Sequence, residues 1–271
     1  MTDDKIKVIF SPASGSASDI ADNPFVVIYK PHGMPSAPLK DGEEGNALYY
    51  CEKLFPAVKN VHGKKEIEHG LVHRIDTDTD GLLLFALTQD AYDSFILQQR
   101  EGLFTKWYRA EYDYIKDNAA LLGGFPPLDG ASKDKALQAE KRTGASVKKA
   151  PHEVTTLKLT STFRPYGPGH KQVRPVIESS SNKAALKKAG TKEYTTLINI
   201  KNAIAECEIK EGYRHQVRCH LAWAGYAIKG DKLYNAHFRE SENQNDFLHF
   251  TACALEFNHP VTGKKIKITD Q

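Results

Sequence analysis

Short apolar runs alternate with polar and turn-forming segments along the chain, and each run is about as long as one strand. Phe25 to Tyr29 and Leu82 to Leu87 are continuous apolar runs, which is typical of buried strands. Alternating or β-branched segments, often flanked by turn residues, indicate more strands. These further strands are predicted at 106–115, 192–200, 203–209, 253–257 and 264–268.

Three segments are predicted to be helices. Ala47 to Phe55 places Leu48, Cys51 and Leu54 at helical intervals. A second helix is predicted from about Gln89 to Glu101, because Thr88 suits an N-cap and Gly102 suits a helix end. The third is predicted over His215–Ala224 and closed by Gly225.

Composition limits the class of protein. With 271 residues and 40% apolar content, the chain can bury the core of one large domain. No run approaches eighteen apolar residues and no secretory signal is visible at the start, so we expect a cytoplasmic protein with no membrane span. The four cysteines are far apart without a Cys-x-x-Cys pair, which predicts thiols and neither a disulfide frame nor a zinc site.

Charge is distributed unevenly along the chain. Gly, Pro, Ser and Lys dominate residues 123–191, and residues 133–192 hold 14 Lys and Arg against 4 Asp and Glu, a net charge of +10. Since the whole chain carries +3, the remainder carries −7. Two interpretations stay open for this basic insert. It is either a solvated, mobile insert or an arm that contacts nucleic-acid phosphates.

A polar segment directly before the second apolar run concentrates charge. His73 to Gly81 holds one arginine and the carboxylates of Asp76, Asp78 and Asp80. This spacing begins like a calcium loop, but that motif needs a Glu at its twelfth position, where Leu87 stands. A solvated acidic turn is the ordinary alternative. We also expect a positive φ at Gly81.

The segment His73-Arg74-Ile75-Asp76-x-x-Thr79-x-Gly81-Leu82 resembles the catalytic motif of the RluA family of RNA pseudouridine synthases. The usual family wording is His-Arg-Leu-Asp-x-x-Thr-Ser-Gly-Leu, so this chain departs from it at Ile75 and at Asp80. The second departure adds a carboxylate near Asp76, which would disfavour charge on both.

Four further blocks carry the same resemblance in the same order. They are Lys30-Pro31-x-Gly33; Lys106-x-Tyr108-x-Ala110; Gly212 to Tyr234, with Tyr213 and Arg214 in place of the family's Arg and Thr; and Leu248 to Gly263. Several blocks in the right order are more specific than any one alone. The resemblance covers about Val26 to Ile268, apart from the basic insert.

The resemblance implies a role for each matching site residue. Asp76 is the expected catalytic carboxylate, Arg218 its ion-pair partner and Tyr108 the ring that stacks on the flipped base. Arg74 is expected to fill the space that the extruded nucleotide leaves. The remaining residues expected to contact RNA or the base are His73, Leu248, Lys30 and Lys106. The isomerisation requires neither a cofactor nor a metal.

The implied fold is mixed α+β, with a long, largely antiparallel central sheet flanked by helices and loops. We expect residues 1–20 to be an extension and 21–271 one catalytic domain carrying the basic insert, with no N-terminal RNA-binding domain. The expected partner is ribosomal or transfer RNA, and we expect a monomer. A catalytically idle RNA-binding protein on the same scaffold is the competing hypothesis, because of the departures at Asp80, Tyr213 and Arg214.

Overall fold

The computed structural model describes residues 5–14, 16–128, 155–179, 181–238 and 247–270. The chain divides into two compact parts, Met1–Trp107 with Thr251–Gln271, and Tyr108–Phe250. In chain order the elements are β1 (Lys7–Phe10), α1 (Ala17–Asp22), β2 (Phe25–Lys30), α2 (Ala47–Leu54), β3 (Asp80–Ala86), α3 (Gln89–Arg100), β4 (Thr105–Tyr114), α4 (Asn118–Leu122), β5 (Thr155–Tyr166), β6 (Gln172–Val176), α5 (Lys183–Lys187), β7 (Tyr194–Lys201), β8 (Ile204–Ile209), α6 (Gln216–Trp223), β9 (Tyr226–Ile228), β10 (Phe250–Asn258) and β11 (Lys265–Thr269). Strand pairing is mostly antiparallel, which confirms the predicted mixed α+β class.

The sheet of the first part has the strand order β1-β2-β3-β10, and β11 pairs with β10. The apolar runs predicted as strands are β2 and β3, which pair antiparallel from Phe25 opposite Ala86 to Lys30 opposite Gly81. Both strands are almost wholly buried, as continuous apolar runs predict. The core of this part includes Phe95 from α3. Because β3 pairs with β2 and β10, this sheet holds the end of the polar segment that leads into β3.

Gly81 lies where β3 and β10 pair in parallel. Its φ is 120°, and a Cβ added there would lie 2.3 Å from the Ala252 carbonyl oxygen. The predicted positive φ is therefore confirmed, and only glycine allows the two backbones to approach this closely. The approach places Asp80 opposite Thr251.

The second part contains the strand order β4-β8-β7-β5-β6, with β9 on β4. The predicted strands at 192–200 and 203–209 are β7 and β8, which pair antiparallel as expected. All eight residues of α6 are buried. A helix without an exposed face is a core element of its part rather than a surface helix.

Two strands and a short helix occupy residues for which the composition predicted no elements. β5 pairs with β7 from Thr155 opposite Ile200 to Ser161 opposite Tyr194, and β6 pairs with β5. Alternate residues of β5 are buried, beginning with Leu157 and Leu159. The basic insert is therefore partly sheet. Residues 129–154 of the insert lie outside the described residues. Neither interpretation of the insert is tested there.

The predicted helices are present with small changes at their ends. The Thr88 hydroxyl caps α3 by accepting from the Ala91 N–H at 3.3 Å. Leu48 and Cys51 of α2 are buried, whereas Leu54 is 47% exposed. All four cysteines are described and none forms a disulfide. Within the described ranges, no helix has both the length and the apolar character needed to cross a membrane.

Candidate active site

The segment His73–Asp80, here called the Asp loop, is held by the turn that follows β2. The Ser36 hydroxyl donates to the Ile75 carbonyl at 2.7 Å and accepts from the Ile75 N–H at 3.2 Å. The Gly33 N–H donates to the Thr77 carbonyl at 3.0 Å. Ser36 therefore holds the backbone before Asp76, and Gly33 of the family block Lys30-Pro31-x-Gly33 holds the backbone after it.

Lys30 adds a third attachment to the same loop. Its side chain is fully buried, and its ammonium donates to the carbonyls of Pro31 at 3.0 Å, Met34 at 2.7 Å and Thr77 at 3.1 Å. Three carbonyls match the three donors of an ammonium group. We predicted that Lys30 contacts RNA, but these contacts support a positioning role for it.

The charge of Lys30 is set by its surroundings. Burial lowers the pKa of Lys30 to about 8, while the carboxylates of Asp80, Asp76 and Asp78 act in the opposite direction. The ammonium is therefore mostly protonated at neutral pH. A cation beside three carboxylates offsets their mutual repulsion. Lys30, at the end of β2, is thus a buried counter-charge for the acidic Asp loop.

Asp80, the departure from the family wording, has both carboxylate oxygens occupied. One accepts from the Tyr29 hydroxyl in β2, and the other accepts from the Thr251 hydroxyl in β10 at 2.9 Å. The half-buried carboxylate therefore joins the first residue of β3 to the strands on both of its sides. Asp80 secures the end of the Asp loop, which gives this carboxylate a structural explanation.

Asp76 lies between these attachments and is half-buried. Its carbonyl accepts from the Thr79 N–H at 3.1 Å, which closes a turn within the loop. The calcium hypothesis does not fit, because both oxygens of Asp80 are engaged by hydroxyls and a strand follows Gly81. Nor does any group of three or more His, Cys, Asp or Glu in the part of the chain described here form a metal site. The geometry favours a positioned carboxylate over a metal loop.

His73 and Arg74, the first two residues of the Asp loop, lie in opposite environments. The Arg74 side chain is 49% exposed and donates to Glu68 at 2.9 Å. His73 is buried, and neither of its ring nitrogens has a hydrogen-bond partner among the residues described. Burial lowers the pKa of His73 well below its usual range, and buried Lys106 acts in the same direction. His73 is therefore a neutral imidazole, and Arg74 is the residue that solvent or RNA can reach.

Tyr108 and Leu248 belong to the second part of the chain. The Tyr108 ring stacks on Phe250, with 5.0 Å between ring centroids and 15° between their planes. Both Tyr108 and Leu248 are buried. Offset stacking fixes the orientation of the Tyr108 ring. Phe250 had no predicted role, although its aromatic side chain two residues after Leu248 was a usable signal.

Arg218 forms a buried ion pair with Asp231. Its Nε lies 2.8 Å from Asp231 Oδ2 and its Nη2 lies 2.9 Å from Oδ1. Such a fork fixes the plane of the guanidinium. The sequence placed Asp231 inside a family block but gave it no role. This bidentate pair uses the Nε and Nη2 edge of Arg218, so Asp231 orients the arginine that we predicted to act on Asp76.

Comparisons with known protein sequences agree with the resemblance. A family model described as RNA pseudouridylate synthase matches residues 24–223. The chain is 28% identical to ribosomal large subunit pseudouridine synthase D of Zymomonas mobilis, over 94% of this chain and 70% of that protein. It is 26% identical to the protein of the same name from Xanthomonas campestris, over 91% of this chain and 62% of that protein. The chain thus spans about two thirds of the length of these relatives.

Two solved human structures are similar in fold. RNA pseudouridylate synthase domain containing 1 gives a TM-score of 0.56 at 13% identity, covering 98% of this chain and 83% of that chain. RNA pseudouridylate synthase domain containing 4 gives 0.55 at 17% identity, covering 98% and 88%. At these identities the likeness concerns the fold alone.

Proposed function

The chain belongs to the RNA pseudouridylate synthase family of isomerases, and we propose that it converts specific uridines of RNA to pseudouridine with Asp76 as the catalytic carboxylate. The observation that supports the proposal is the Asp loop, whose sequence resembles the family's catalytic motif apart from Ile75 and Asp80. Its backbone is anchored at Ile75 and Thr77, on either side of Asp76. Anchoring a reactive group on both sides is the arrangement that pre-organised catalysis requires.

The reaction breaks the bond between C1′ and N1, turns the uracil and forms a bond between C1′ and C5. The hydrogen on C5 leaves as a proton and N1 takes up a proton, so atoms and electrons balance without a redox partner. An ionised carboxylate near C1′ serves as the nucleophile or as the base that begins glycal formation. Both routes need the charge that Asp76 supplies.

The supporting roles follow from the side chains. Arg218 is proposed to keep the catalytic carboxylate ionised, since a guanidinium next to a carboxylate favours its charged form. Tyr108 is proposed to stack on the extruded uracil, because an aromatic face holds an unstacked base. Arg74, which is half exposed, is proposed to occupy the gap that the base leaves in the RNA.

We further propose ribosomal RNA as the first target to test, with transfer RNA as the alternative. The support is the name of the relatives, which are ribosomal large subunit pseudouridine synthases. The test is tritium release from transcripts of large-subunit ribosomal RNA and of transfer RNA, each labelled at uracil C5. Release from the ribosomal transcript alone is expected. Tight binding with no release from either transcript would favour an idle RNA-binding protein.

A further inference from the structure

The β5–β6 hairpin, residues 155–176, is docked onto the family block at Gly212–Tyr234 by the two residues that depart from the family wording. The Tyr213 ring stacks on Phe163, with 4.9 Å between ring centroids and 5° between their planes. The Arg214 Nη2 donates to the carbonyls of His170 and Gln172. These departures therefore have a structural purpose and give no support to an idle protein.

Two more bonds fix the hairpin to the same block. The Tyr234 hydroxyl accepts from the Val173 N–H at 2.8 Å. The Cys219 thiol lies 3.5 Å from the Val173 carbonyl, to which it donates. Tyr213, Arg214, Cys219 and Tyr234 all lie within the second part, as does the hairpin. The hairpin is therefore a fixed surface of that part.

Two arginines of this hairpin, Arg164 and Arg174, have no acidic partner among the residues described. Arg164 lies directly opposite Arg174 in the strand pair, and both guanidinium groups lie over the Tyr166 ring, at 5.0 Å and 4.1 Å from its centroid. Residues 155–177 contain no Asp or Glu. Neither arginine has an ion-pair partner in the described part of the chain. Like charges placed opposite each other on a sheet repel, so an anion bound here would relieve the repulsion.

The two arginines differ in how their donors are satisfied. Arg174 is buried, and it donates to the carbonyls of Gly123 at 2.8 Å and Val173 at 3.0 Å. Arg164 donates through Nη2 to Gly124 at 3.1 Å, but its buried Nε has no acceptor among the described residues. Arg174 is thus an internal support, whereas the half-buried Arg164 has fewer of its donors satisfied by the described residues.

The turn of the hairpin borders a cavity. The cavity has a volume of about 330 Å³ and is lined by Gly167, Pro168, Gly169, Lys171, Gln172 and Leu233. The buried Gln172 Oε1 has no hydrogen-bond donor within the described ranges. Lys171 and Arg214, which bonds to the turn, are both exposed. The turn therefore combines cations with an unused acceptor.

We propose that this turn binds the RNA strand beyond the target nucleotide, with Arg164, Lys171 and Arg214 on phosphates and Gln172 on a donor of one nucleotide. Cations without carboxylates suit a phosphate backbone. The acceptor on Gln172 favours a nucleotide over a bare anion, because bases and the 2′-hydroxyl bring donors. The inference rests on the proposed function for the identity of the ligand.

The test is the salt dependence of binding to a transcript of large-subunit ribosomal RNA, using the full chain. The double variant Arg164→Gln/Lys171→Gln removes two proposed phosphate contacts, and Lys171→Gln alone removes one exposed cation without disturbing the hairpin. Each lost contact is expected to reduce the slope of log K against log salt by about 0.7 to 0.9. The matched control is Lys201→Gln/Lys210→Gln, which removes two exposed charges from the same part.

An equal change of slope in the control and in the double variant would overturn the proposal, as would an unchanged slope in both Lys171→Gln and the double variant. Gln172→Leu is expected to raise Kd at an unchanged slope, and an unchanged Kd would overturn the role of Gln172. Tritium release by the wild type is measured on the same transcript. The predicted slopes without release would refute the proposed function and leave this surface standing, whereas release with unchanged slopes would refute this surface alone.

Discussion

Replacing Asp231 by asparagine removes one charge from the most buried ion pair described. The Arg218 side chain is 4% exposed and that of Asp231 is 0% exposed. Oδ1 of Asp231 also accepts from the N–H groups of Leu233 at 2.9 Å and Tyr234 at 3.1 Å. An asparagine oxygen can keep those two bonds. Its amide, however, would present donors to the Nε–H of Arg218, so one half of the fork is lost.

The expected cost follows from the charge that is left behind. Breaking a buried pair by removing one partner costs about 3 to 5 kcal/mol, because the remaining charge stays buried without compensation. We expect the lower end, about 3 kcal/mol, since the asparagine keeps its backbone bonds. Glu111→Gln is the matched control, because Glu111 pairs with Lys229 at 3.2 Å with both side chains at least 40% exposed. An exposed pair contributes about 1 kcal/mol or less.

The assay is urea unfolding of both variants and the wild type, followed by far-UV circular dichroism and by tryptophan fluorescence. Of the two tryptophans, Trp223 is buried in the same part as the ion pair, and Trp107 belongs to the first part. The expected result is a clearly lower midpoint for Asp231→Asn and a small change for Glu111→Gln. Equal losses in the two variants, each below about 1 kcal/mol, would refute the reasoning about the buried pair.

Three further predictions concern the Asp loop and a buried histidine. Asp80→Ala is expected to cost about 2 kcal/mol of unfolding free energy, because the hydroxyls of Tyr29 and Thr251 lose a charged acceptor, and Asp80→Asn is expected to cost less in the same urea titration. Lys30→Met is expected to slow tritium release by about 10- to 100-fold, since the loop loses one of its two attachments at Thr77 and the cation beside its carboxylates; an unchanged single-turnover rate would contradict this. Burial lowers the pKa of His220 from 6.5 to about 3. As the pH falls, the unfolded chain protonates this histidine at a higher pH than the folded chain does. The contribution of neutral His220 to the free energy of unfolding is therefore complete above pH 6.5 and decreases at lower pH, by about 1.4 kcal/mol per pH unit well below 6.5. His220→Gln should show a shallower loss between pH 6.5 and 5, and an unchanged pH dependence would count against the assignment.

Local patterns predicted much of the fold. The apolar runs of β2 and β3 are unambiguous because both strands are buried on both faces. The hydroxyl of Thr88 identified the start of α3. By contrast, β5 was missed because its Gly-, Pro- and Lys-rich surroundings obscured the alternation of Leu157, Leu159 and Phe163.

The contacts that explain the candidate site were less predictable. Thr251 meets Asp80 across 171 residues of sequence, and this meeting depends on the parallel register of β3 and β10. A one-residue slip of that register would turn the side chains to the other face. Lys30 is a second contact that the sequence did not predict. Its charge and its position in the motif predicted a contact with RNA, whereas its side chain is buried and its ammonium donates to backbone carbonyls. Family blocks suggested which residues to consider, whereas only the fold shows what each one touches.

The role of Asp76 is tested most directly by single-turnover tritium release from C5-labelled ribosomal RNA, with the variants Asp76→Asn and Asp76→Ala. Asp78→Asn is the matched control, because Asp78 lies in the same loop and is exposed. Circular dichroism and RNA binding show whether each variant is folded and still binds. The account predicts that both Asp76 variants bind RNA but release no tritium, while Asp78→Asn stays active. Release by Asp76→Ala at the wild-type rate would contradict it.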